Sequence, residues 1–256
     1  MNPAFKEYLL KVTQSSACEE IEIIQSLWSG YGKVSRYQLA ESLINSVVVK
    51  YIALKPADEH PRGWNTDRSH HRKVKSYDVE THWYREWSRR CSANCSVPKF
   101  MGSFSEGKDQ WIILEDLKEH FPVIKDQLNL VEVKVCLKWL ANFHATFLNE
   151  YPKDLWEVGT YWHLNTRPDE FEKLENQELK SKALLIDETL NQCKYQTIVH
   201  GDAKLANFCF SENGKHTSAV DFQYVGGGCG MKDVAYFFGS CLSSDECESY
   251  QNELLD

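Results

Sequence analysis

Hydrophobic positions near the start of the chain alternate with polar ones at the spacing of β-strands. The segment from Cys18 to Leu27 alternates loosely, and Val34 to Ala40 and Ser46 to Leu54 have the same character. A Ser-Gly-Tyr-Gly turn at 29–32 separates the first two segments. The pattern predicts that the first 55 residues are β-rich and form an antiparallel meander.

The spacing of apolar residues changes several times between the meander and residue 115. Residues 55–73 mix Pro, Gly, charge and histidine without periodicity, which predicts a surface loop. From Lys73 to Arg90 the spacing is helical. Two short strands then follow, at 99–104 and 110–115, around a polar turn at 105–109.

The rest of the chain has a mainly helical pattern. Apolar side chains three and four residues apart predict a long amphipathic helix from Val133 to Phe147 and a second helix from Leu184 to Cys193. Two short β-like segments, Gln196 to Val199 and Thr217 to Val220, each lead into an acidic motif. We therefore expect helices with two short strands between them.

Together these segments predict an α+β protein with two lobes. Residues 1–117 form a mostly β amino-terminal lobe built on an antiparallel sheet, and residues 118–256 form a mainly helical carboxy-terminal lobe. A length of 256 residues allows one large domain or two small ones, and a 42% share of hydrophobic residues is typical of a folded globule.

The charge excludes some classes of partner. The chain has 29 basic and 37 acidic residues and a net charge of −8, which argues against a general nucleic-acid or anionic-membrane binder. The basic run at 68–75 is flanked by acids, so we interpret it as a solvated loop face. No apolar run approaches the roughly 20 residues of a membrane span, and the first residues lack the pattern of a secretory signal. We expect a cytoplasmic protein.

Nine cysteines are scattered without a regular framework, and an odd number cannot all pair within one chain. Reduced thiols in a cytosolic protein are the favoured interpretation. Cys91 and Cys95 form an isolated C-x3-C, for which a metal site is the alternative.

The chemistry is concentrated in two segments, His-Gly-Asp-Ala-Lys-Leu-Ala-Asn at 200–207 and Asp-Phe-Gln at 221–223. Phosphoryl transfer from a nucleotide needs a carboxylate that accepts the proton of the attacking hydroxyl and oxygen ligands for Mg²⁺. Asp202, Asn207 and Asp221 supply both. Any one of them alone would favour a simple Asx turn, but their joint spacing favours the site.

A second pair of charged residues lies in the amino-terminal part. Lys50 closes the apolar run Val-Val-Val-Lys, and a buried lysine needs an anionic partner. Glu80 shares a helix face with Tyr77 and Tyr84, so it points inward and has the same need. The two residues are therefore predicted to form an ion pair.

These motifs resemble those of the small-molecule branch of the protein-kinase-like fold, the aminoglycoside phosphotransferase and choline kinase group. Within it the chain most resembles the ecdysteroid-kinase-like proteins, in which H-G-D-x-x-x-x-N and D-F-Q replace H-R-D and D-F-G. The resemblance covers roughly residues 20–240. It implies ATP and Mg²⁺ as cofactors, Asp202 as the catalytic base, Asn207 and Asp221 as Mg²⁺ ligands, and His200 as a brace of the loop.

The resemblance also implies roles for other residues. Ser29, Gly30 and Gly32 lie where a phosphate-covering loop belongs, although an ordinary hairpin turn explains them equally well. The main chain of Glu115 to Leu117 resembles the hinge that binds adenine, and Lys50 with Glu80 would hold the nucleotide phosphates. His144 is interpreted as a packed core residue, and Asp233 as an acid that accepts backbone N–H bonds of the catalytic loop.

The resulting hypothesis is a kinase that transfers the γ-phosphate of ATP to a hydroxyl of a small molecule. The alternative is a catalytically silent pseudokinase that acts as an interaction module. A protein kinase is disfavoured because Gly201 replaces an arginine and Gln223 a glycine. The sequence does not identify the acceptor or the oligomeric state. The chain stops soon after Asp221, so we expect an acceptor site that is incomplete or formed by aromatic residues between Trp156 and Trp162, although packing explains those residues as well.

Overall fold

The computed structural model describes residues 1–27, 30–53, 67–166 and 168–255. Contacts divide the chain into two compact units. The first comprises Met1–Arg89 and Pro98–Glu119, and the second comprises Arg90–Val97 and His120–Asp256. Each unit contains helices as well as antiparallel strands, so the predicted α+β class is confirmed.

A five-stranded antiparallel sheet forms the centre of the first unit. Its strands are β1 Ala17–Ser26, β2 Gly32–Ala40, β3 Ser46–Ala53, β4 Phe100–Glu106 and β5 Asp109–Glu115. Their order in the sheet is β1-β2-β3-β5-β4, and every neighbouring pair is antiparallel. The predicted meander and both later strands are therefore confirmed. Strand β3 lies in the middle of the sheet and carries Lys50.

The first helix, α1, spans Pro3–Thr13 and packs on this sheet. The prediction of a β-rich start was wrong here, because Asn2 caps the helix by accepting a hydrogen bond from the Phe5 N–H at 3.0 Å. Phe5 and Leu9 are fully buried one turn apart, and the Phe5 ring stacks on Trp111 at 4.9 Å. The Asn-Pro start and the four-residue apolar spacing were the available signals.

Helix α2 spans Asp67–His82 and continues as a π-helical turn, Trp83–Trp87, and a 3₁₀ turn, Ser88–Arg90. The loop predicted up to residue 73 was wrong from Asp67 onward, since the basic run lies in this helix; residues 55–66 lie outside the described residues. The π turn places an extra residue in the helix, and the consecutive Trp83 and Tyr84 are both buried.

The second unit contains five helices and two small sheets among its described residues. The helices are α3 Leu130–Thr146, α4 Pro168–Glu172, α5 Gln177–Gln192, α6 Met231–Cys241 and α7 Ser244–Leu255. The strands are β6 Val123–Ile124, β7 Gln196–Val199, β8 Phe208–Phe210, β9 Thr217–Ala219 and β10 Gly226–Cys229. Strand β7 pairs with β10, and β6, β8 and β9 form the other sheet. None of the described helices combines the length and apolar character needed to cross a membrane.

Helix α3 is the central core element of the second unit. Asn129 and Glu132 form a capping box at its start, and Trp139, Leu140 and Phe143 are buried along one face. The Trp139 Nε1–H donates to the Ser96 carbonyl at 2.8 Å, which fixes the 90–97 segment to this unit. The long amphipathic helix predicted from Val133 is therefore confirmed.

All nine cysteines are free thiols in the structure. The neighbouring Cys91 thiol lowers the pKa of Cys95 to about 6. Within the described ranges no three histidine, cysteine or acidic side chains assemble into a cluster that could hold a metal ion.

We expect Phe5→Ala to lower the free energy of unfolding by about 3–5 kcal/mol, because it removes the aromatic side chain that anchors α1 on the sheet. Glu7→Ala, on the exposed side of the same helix, is the matched control and should change stability little. Denaturant unfolding followed by circular dichroism measures both. Equal losses in the two variants would contradict the anchoring role of Phe5.

Candidate active site

The loop that follows β7 carries the first chemical motif. His200 is fully buried at the end of the strand, and Gly201 has a φ of 80°. A Cβ at Gly201 would lie 2.0 Å from the Tyr224 carbonyl oxygen. Only glycine fits this close approach with this backbone conformation, which gives a local reason for the absence of an arginine at this position.

Asp233 lies at the start of α6 and holds this loop by hydrogen bonds. Its carboxylate accepts the backbone N–H of His200 at 2.7 Å and of Gly201 at 2.9 Å. The His144 Nε2–H donates to the same carboxylate at 2.9 Å. The predictions for Asp233 as a brace and for His144 as a hydrogen-bonded core residue are confirmed.

Asp233 is only 1% exposed, yet its carboxylate is held in the ionised form. Burial alone would raise the pKa of Asp233, but the hydrogen bonds from His144 and Gly201 lower it below its ordinary value. An ionised carboxylate accepts hydrogen bonds at both oxygens, as three donors require here.

His200 connects the loop to the Asp-Phe-Gln segment. Its Nδ1 accepts the Asp202 N–H at 3.3 Å, so Nε2 carries the proton and donates to the Val220 carbonyl at 3.0 Å. The Val220 N–H donates to the Asn207 carbonyl at 3.0 Å. Phe222 is fully buried, with its ring 4.4 Å from that of His200. Asp202, Asn207 and Asp221 therefore lie on two segments that are hydrogen-bonded to one another.

Asp202 is nearly buried and is surrounded by donors. Its Oδ2 lies 3.0 Å from the Lys204 Nζ and accepts the Asn207 Nδ2–H at 3.1 Å. Tyr236 on α6 also lies near this carboxylate. Burial, reinforced by the negative charge of Asp202, raises the pKa of Tyr236 to about 12, so the hydroxyl stays a donor at neutral pH.

Lys204 and Tyr236 are two neighbours of Asp202 that were not among the residues predicted from the sequence. Lys204 lies within the motif, and its position two residues after Asp202 was the available signal. Tyr236 lies on α6 three residues after Asp233, so the helix presents both side chains to the same loop. Recognising this required the position of α6, which the sequence pattern does not supply.

Asn207 and Asp221 offer oxygen atoms of the type that Mg²⁺ prefers. The Asn207 Nδ2 donates to the Asp202 carbonyl at 2.8 Å and to the Asp202 carboxylate. The Asn207 Oδ1 therefore points away from Asp202. Among the described residues no donor reaches the Asn207 Oδ1. Asp221 has a φ of 67°, and its Oδ1 accepts the Gln223 Nε2–H at 2.6 Å. The donor set of one amide and one carboxylate fits a magnesium ion.

The Lys50–Glu80 ion pair is present in the first unit, as predicted. The Lys50 Nζ lies 2.6 Å from the Glu80 Oε2, and the two side chains are 7% and 2% exposed. Lys50 stands at the centre of β3, opposite Val34 and Ile112 on the neighbouring strands. Burial on a central strand keeps the ammonium in one place and requires the carboxylate beside it.

The glycine-containing turn lies between β1 and β2. Gly30 has a φ of 72° and Gly32 a φ of 137°. A Cβ at Gly32 would lie 2.0 Å from the Tyr51 carbonyl oxygen, so this position requires glycine. Ser29 lies outside the described residues. A phosphate-covering role for Ser29, Gly30 and Gly32 stays a prediction.

The segment from Glu115 to Leu117 ends β5 and begins a 3₁₀ turn, Leu117–Glu119. The Glu115 N–H donates to the Lys99 carbonyl at 2.9 Å, so that N–H is already used within the unit. Asp116 accepts hydrogen bonds from the Arg36 Nε–H at 2.6 Å and the Ser46 hydroxyl at 2.7 Å. The segment is anchored by Asp116, and adenine binding by Glu115 and Leu117 stays a prediction.

The aromatic residues after Trp156 adjoin the candidate loop. The Trp156 Nε1–H donates to the Gln223 carbonyl at 2.7 Å, and its ring stacks on Tyr224 at 6.3 Å. The Tyr161 N–H donates to the Gly201 carbonyl at 2.6 Å. Tyr161 and Trp162 are about two-fifths exposed. Trp156 therefore supports the Asp-Phe-Gln segment by packing, while the next two aromatics lie at the surface beside the loop.

Comparison with solved structures defines the class of fold. The chain is similar to the crystal structure of aminoglycoside-3'-phosphotransferase of type VIII, with 14% identity and a TM-score of 0.54 over 98% of this chain and 90% of that one. It is similar to a protein described as a fructosamine-3-kinase from Haemophilus somnus 129PT, with 13% identity and a TM-score of 0.53 over 98% and 81%. The chain has the protein-kinase-like fold, as predicted.

The comparison with sequence families matches a smaller part of the chain. The model of the ecdysteroid kinase-like family matches residues 157–256, which include both motifs, so the predicted resemblance to this family is confirmed. None of the curated proteins matches the chain.

We expect Asp233→Asn to lower the free energy of unfolding by about 3 kcal/mol at neutral pH, because a buried donor without a partner costs ~1–3 kcal/mol and an ionised acceptor raises the cost. The pKa of Asp233 is lower in the folded state than its ordinary value of 3.8, so ionised Asp233 stabilises the folded protein at pH values above 3.8. This stabilisation is lost as the pH falls below 3.8. The difference in the free energy of unfolding between the wild type and the variant should therefore become smaller below about pH 4.

Denaturant unfolding at a series of pH values measures this difference. Asp126→Asn, an exposed aspartate of the same unit, is the control and should follow the wild type throughout. A difference independent of pH would contradict the assignment of an ionised Asp233.

Proposed function

We propose that the protein is an ATP- and Mg²⁺-dependent kinase that transfers the γ-phosphate to a hydroxyl group of a small molecule. The observation that carries the proposal is the hydrogen-bonded pair of segments that brings Asp202, Asn207 and Asp221 into one unit, through the His200–Val220 and Val220–Asn207 hydrogen bonds. The fold and the family match at 157–256 support the same reaction class. Nine free thiols suit a cytoplasmic enzyme.

Asp202 is the proposed catalytic base. Its carboxylate accepts the proton of the acceptor hydroxyl as the oxygen forms a bond to the γ-phosphorus and the bond to the β-phosphate oxygen breaks, which releases ADP. The amide of Asn207 and the ammonium of Lys204 hold Oδ2 and so fix the direction of the carboxylate.

Asn207 and Asp221 are the residues that would hold Mg²⁺. Bound there, the ion neutralises phosphate charge. In the first unit, Glu80 holds the Lys50 ammonium, which would bind the nucleotide phosphates in the proposed enzyme. Each part of the proposed machinery is therefore organised within its own unit before a ligand binds.

Asp202→Asn should lower the rate of phosphate transfer by about 100- to 10,000-fold, since it removes the base and keeps the shape. ATP binding, followed as the shift of the melting temperature with Mg·ATP, should stay close to wild type. Phosphate transfer is measured as the release of ADP, with aminoglycosides, choline, sugars and sterols tested in turn as acceptors. Asp245→Asn, on the exposed surface of α7, is the control.

Two results would contradict this proposal. Undiminished transfer by Asp202→Asn would remove Asp202 from the role of base. Stabilisation of the wild type by Mg·ATP without transfer to any acceptor would favour the silent pseudokinase instead.

Lys50→Met should weaken ATP binding about 10- to 100-fold, because a charge-assisted hydrogen bond contributes ~1.5–3 kcal/mol. Titration calorimetry with a non-hydrolysable ATP analogue measures the dissociation constant without an acceptor. Lys108→Met, in the exposed turn between β4 and β5, should bind as the wild type does. Equal affinity in all three proteins would exclude Lys50 from nucleotide binding.

A further inference from the structure

Gln223 is held more firmly than a surface glutamine would be. The residue is 5% exposed, and its Nε2–H donates to the Asp221 Oδ1 at 2.6 Å. Its own carbonyl accepts the Trp156 Nε1–H at 2.7 Å. Main chain and side chain are therefore both anchored, and the amide has a fixed direction toward one oxygen of Asp221.

This contact restricts how Asp221 can meet a cation. A carboxylate binds a metal ion through one oxygen or through both, and chelation by both needs each oxygen turned toward the ion. An amide N–H on Oδ1 competes with a cation for the lone pairs of that oxygen, and its partial positive charge repels the ion. Asp221 is thereby biased toward binding through a single oxygen.

The number of carboxylate oxygens distinguishes the common divalent cations. Mg²⁺ is small, demands near-octahedral geometry at about 2.0–2.1 Å and is bound through one or two carboxylates together with waters and phosphates. Ca²⁺ takes about 6–8 oxygens at 2.3–2.6 Å and accepts bidentate carboxylates. A carboxylate restricted to one oxygen therefore suits Mg²⁺ better than Ca²⁺.

The backbone at Asp221 supports the same restriction. Its φ of 67° is uncommon for residues other than glycine, although Asp adopts it more readily than most. The Val220 N–H on the Asn207 carbonyl fixes the residue before it, and the buried Phe222 fixes the residue after it. The backbone therefore keeps the Asp221 Cβ in one place, and the hydrogen bond from Gln223 orients the carboxylate that it carries.

We propose that Gln223 is a positioning residue that selects Mg²⁺ over Ca²⁺ by holding one oxygen of Asp221. The inference rests on the proposed function, because it takes Asp221 as a metal ligand. Gln223 acts through the carboxylate and does not itself bind the ion.

The test uses the full chain with a saturating non-hydrolysable ATP analogue, titrated with MgCl₂ or CaCl₂ and followed by the melting temperature. Gln223→Met removes the N–H donor and nearly keeps the volume. It should raise the half-saturating Mg²⁺ concentration about 10- to 100-fold, the range for loss of a hydrogen bond that orients a metal ligand. The half-saturating Ca²⁺ concentration should stay the same or fall, because both oxygens of Asp221 become available to the ion, so the preference for Mg²⁺ falls.

Gln223→Glu provides a second, independent variant. It also lacks the donor and adds carboxylate oxygens, so its preference should shift toward Ca²⁺ as well. Gln196→Met is the matched control: the Gln196 Nε2–H donates to the Leu190 carbonyl at 2.9 Å in the same unit, with no contact to the motif among the described residues. It should keep the Mg²⁺ preference of the wild type.

The outcomes separate the two proposals. An equal loss of Mg²⁺ and Ca²⁺ binding in Gln223→Met, or an unchanged preference in both Gln223 variants, would overturn the role of Gln223 and leave the kinase proposal intact. If nucleotide binding by the wild type does not depend on a divalent cation, both proposals fail.

Discussion

The buried carboxylate of Asp233 is the interaction on which the candidate site depends. It gathers two backbone N–H groups of the loop and the His144 imidazole around one charge that water hardly reaches. An ionised group at this depth is stable only while every donor stays in place, so the loop has one favoured position. That position in turn directs His200 at Val220 and places Asp202 beside Asn207. One side chain on α6 thus organises residues from two motifs.

The first unit also contains buried charged side chains, and these form an ion pair. Lys50 and Glu80 are both buried, and each would be costly alone. The pair adds little net stability, because the desolvation of two charges offsets much of their attraction. Its main effect is to fix the positions of the two charged groups. The result is an ammonium whose position is fixed by a sheet on one side and a helix on the other. Such a group can meet an anionic ligand without first losing conformational freedom.

Much of the site was predictable because its signals are local. The spacing of Asp202, Asn207 and Asp221 lies within a short segment, and Lys50 with Glu80 are charges on otherwise apolar faces. Strand periodicity predicted every strand of the large sheet. The rest depends on packing: of the three buried residues of α1 only Phe5 and Leu9 are apolar, and Tyr236 comes near Asp202 because the loop lies on α6. Sequence periodicity describes which face a helix buries but not which loop it meets.

The two left-handed residues of the motifs show how backbone strain is distributed. Gly201 adopts its φ of 80° without a side-chain penalty, whereas Asp221 at 67° costs of order ~1–3 kcal/mol. Glycine at position 221 would relieve the strain but would remove the carboxylate. The strain is offset locally, since Val220 and Gln223 hydrogen-bond on either side and Phe222 is buried between them. These contacts hold Asp221 in its left-handed conformation, and they thereby fix the position from which its carboxylate projects.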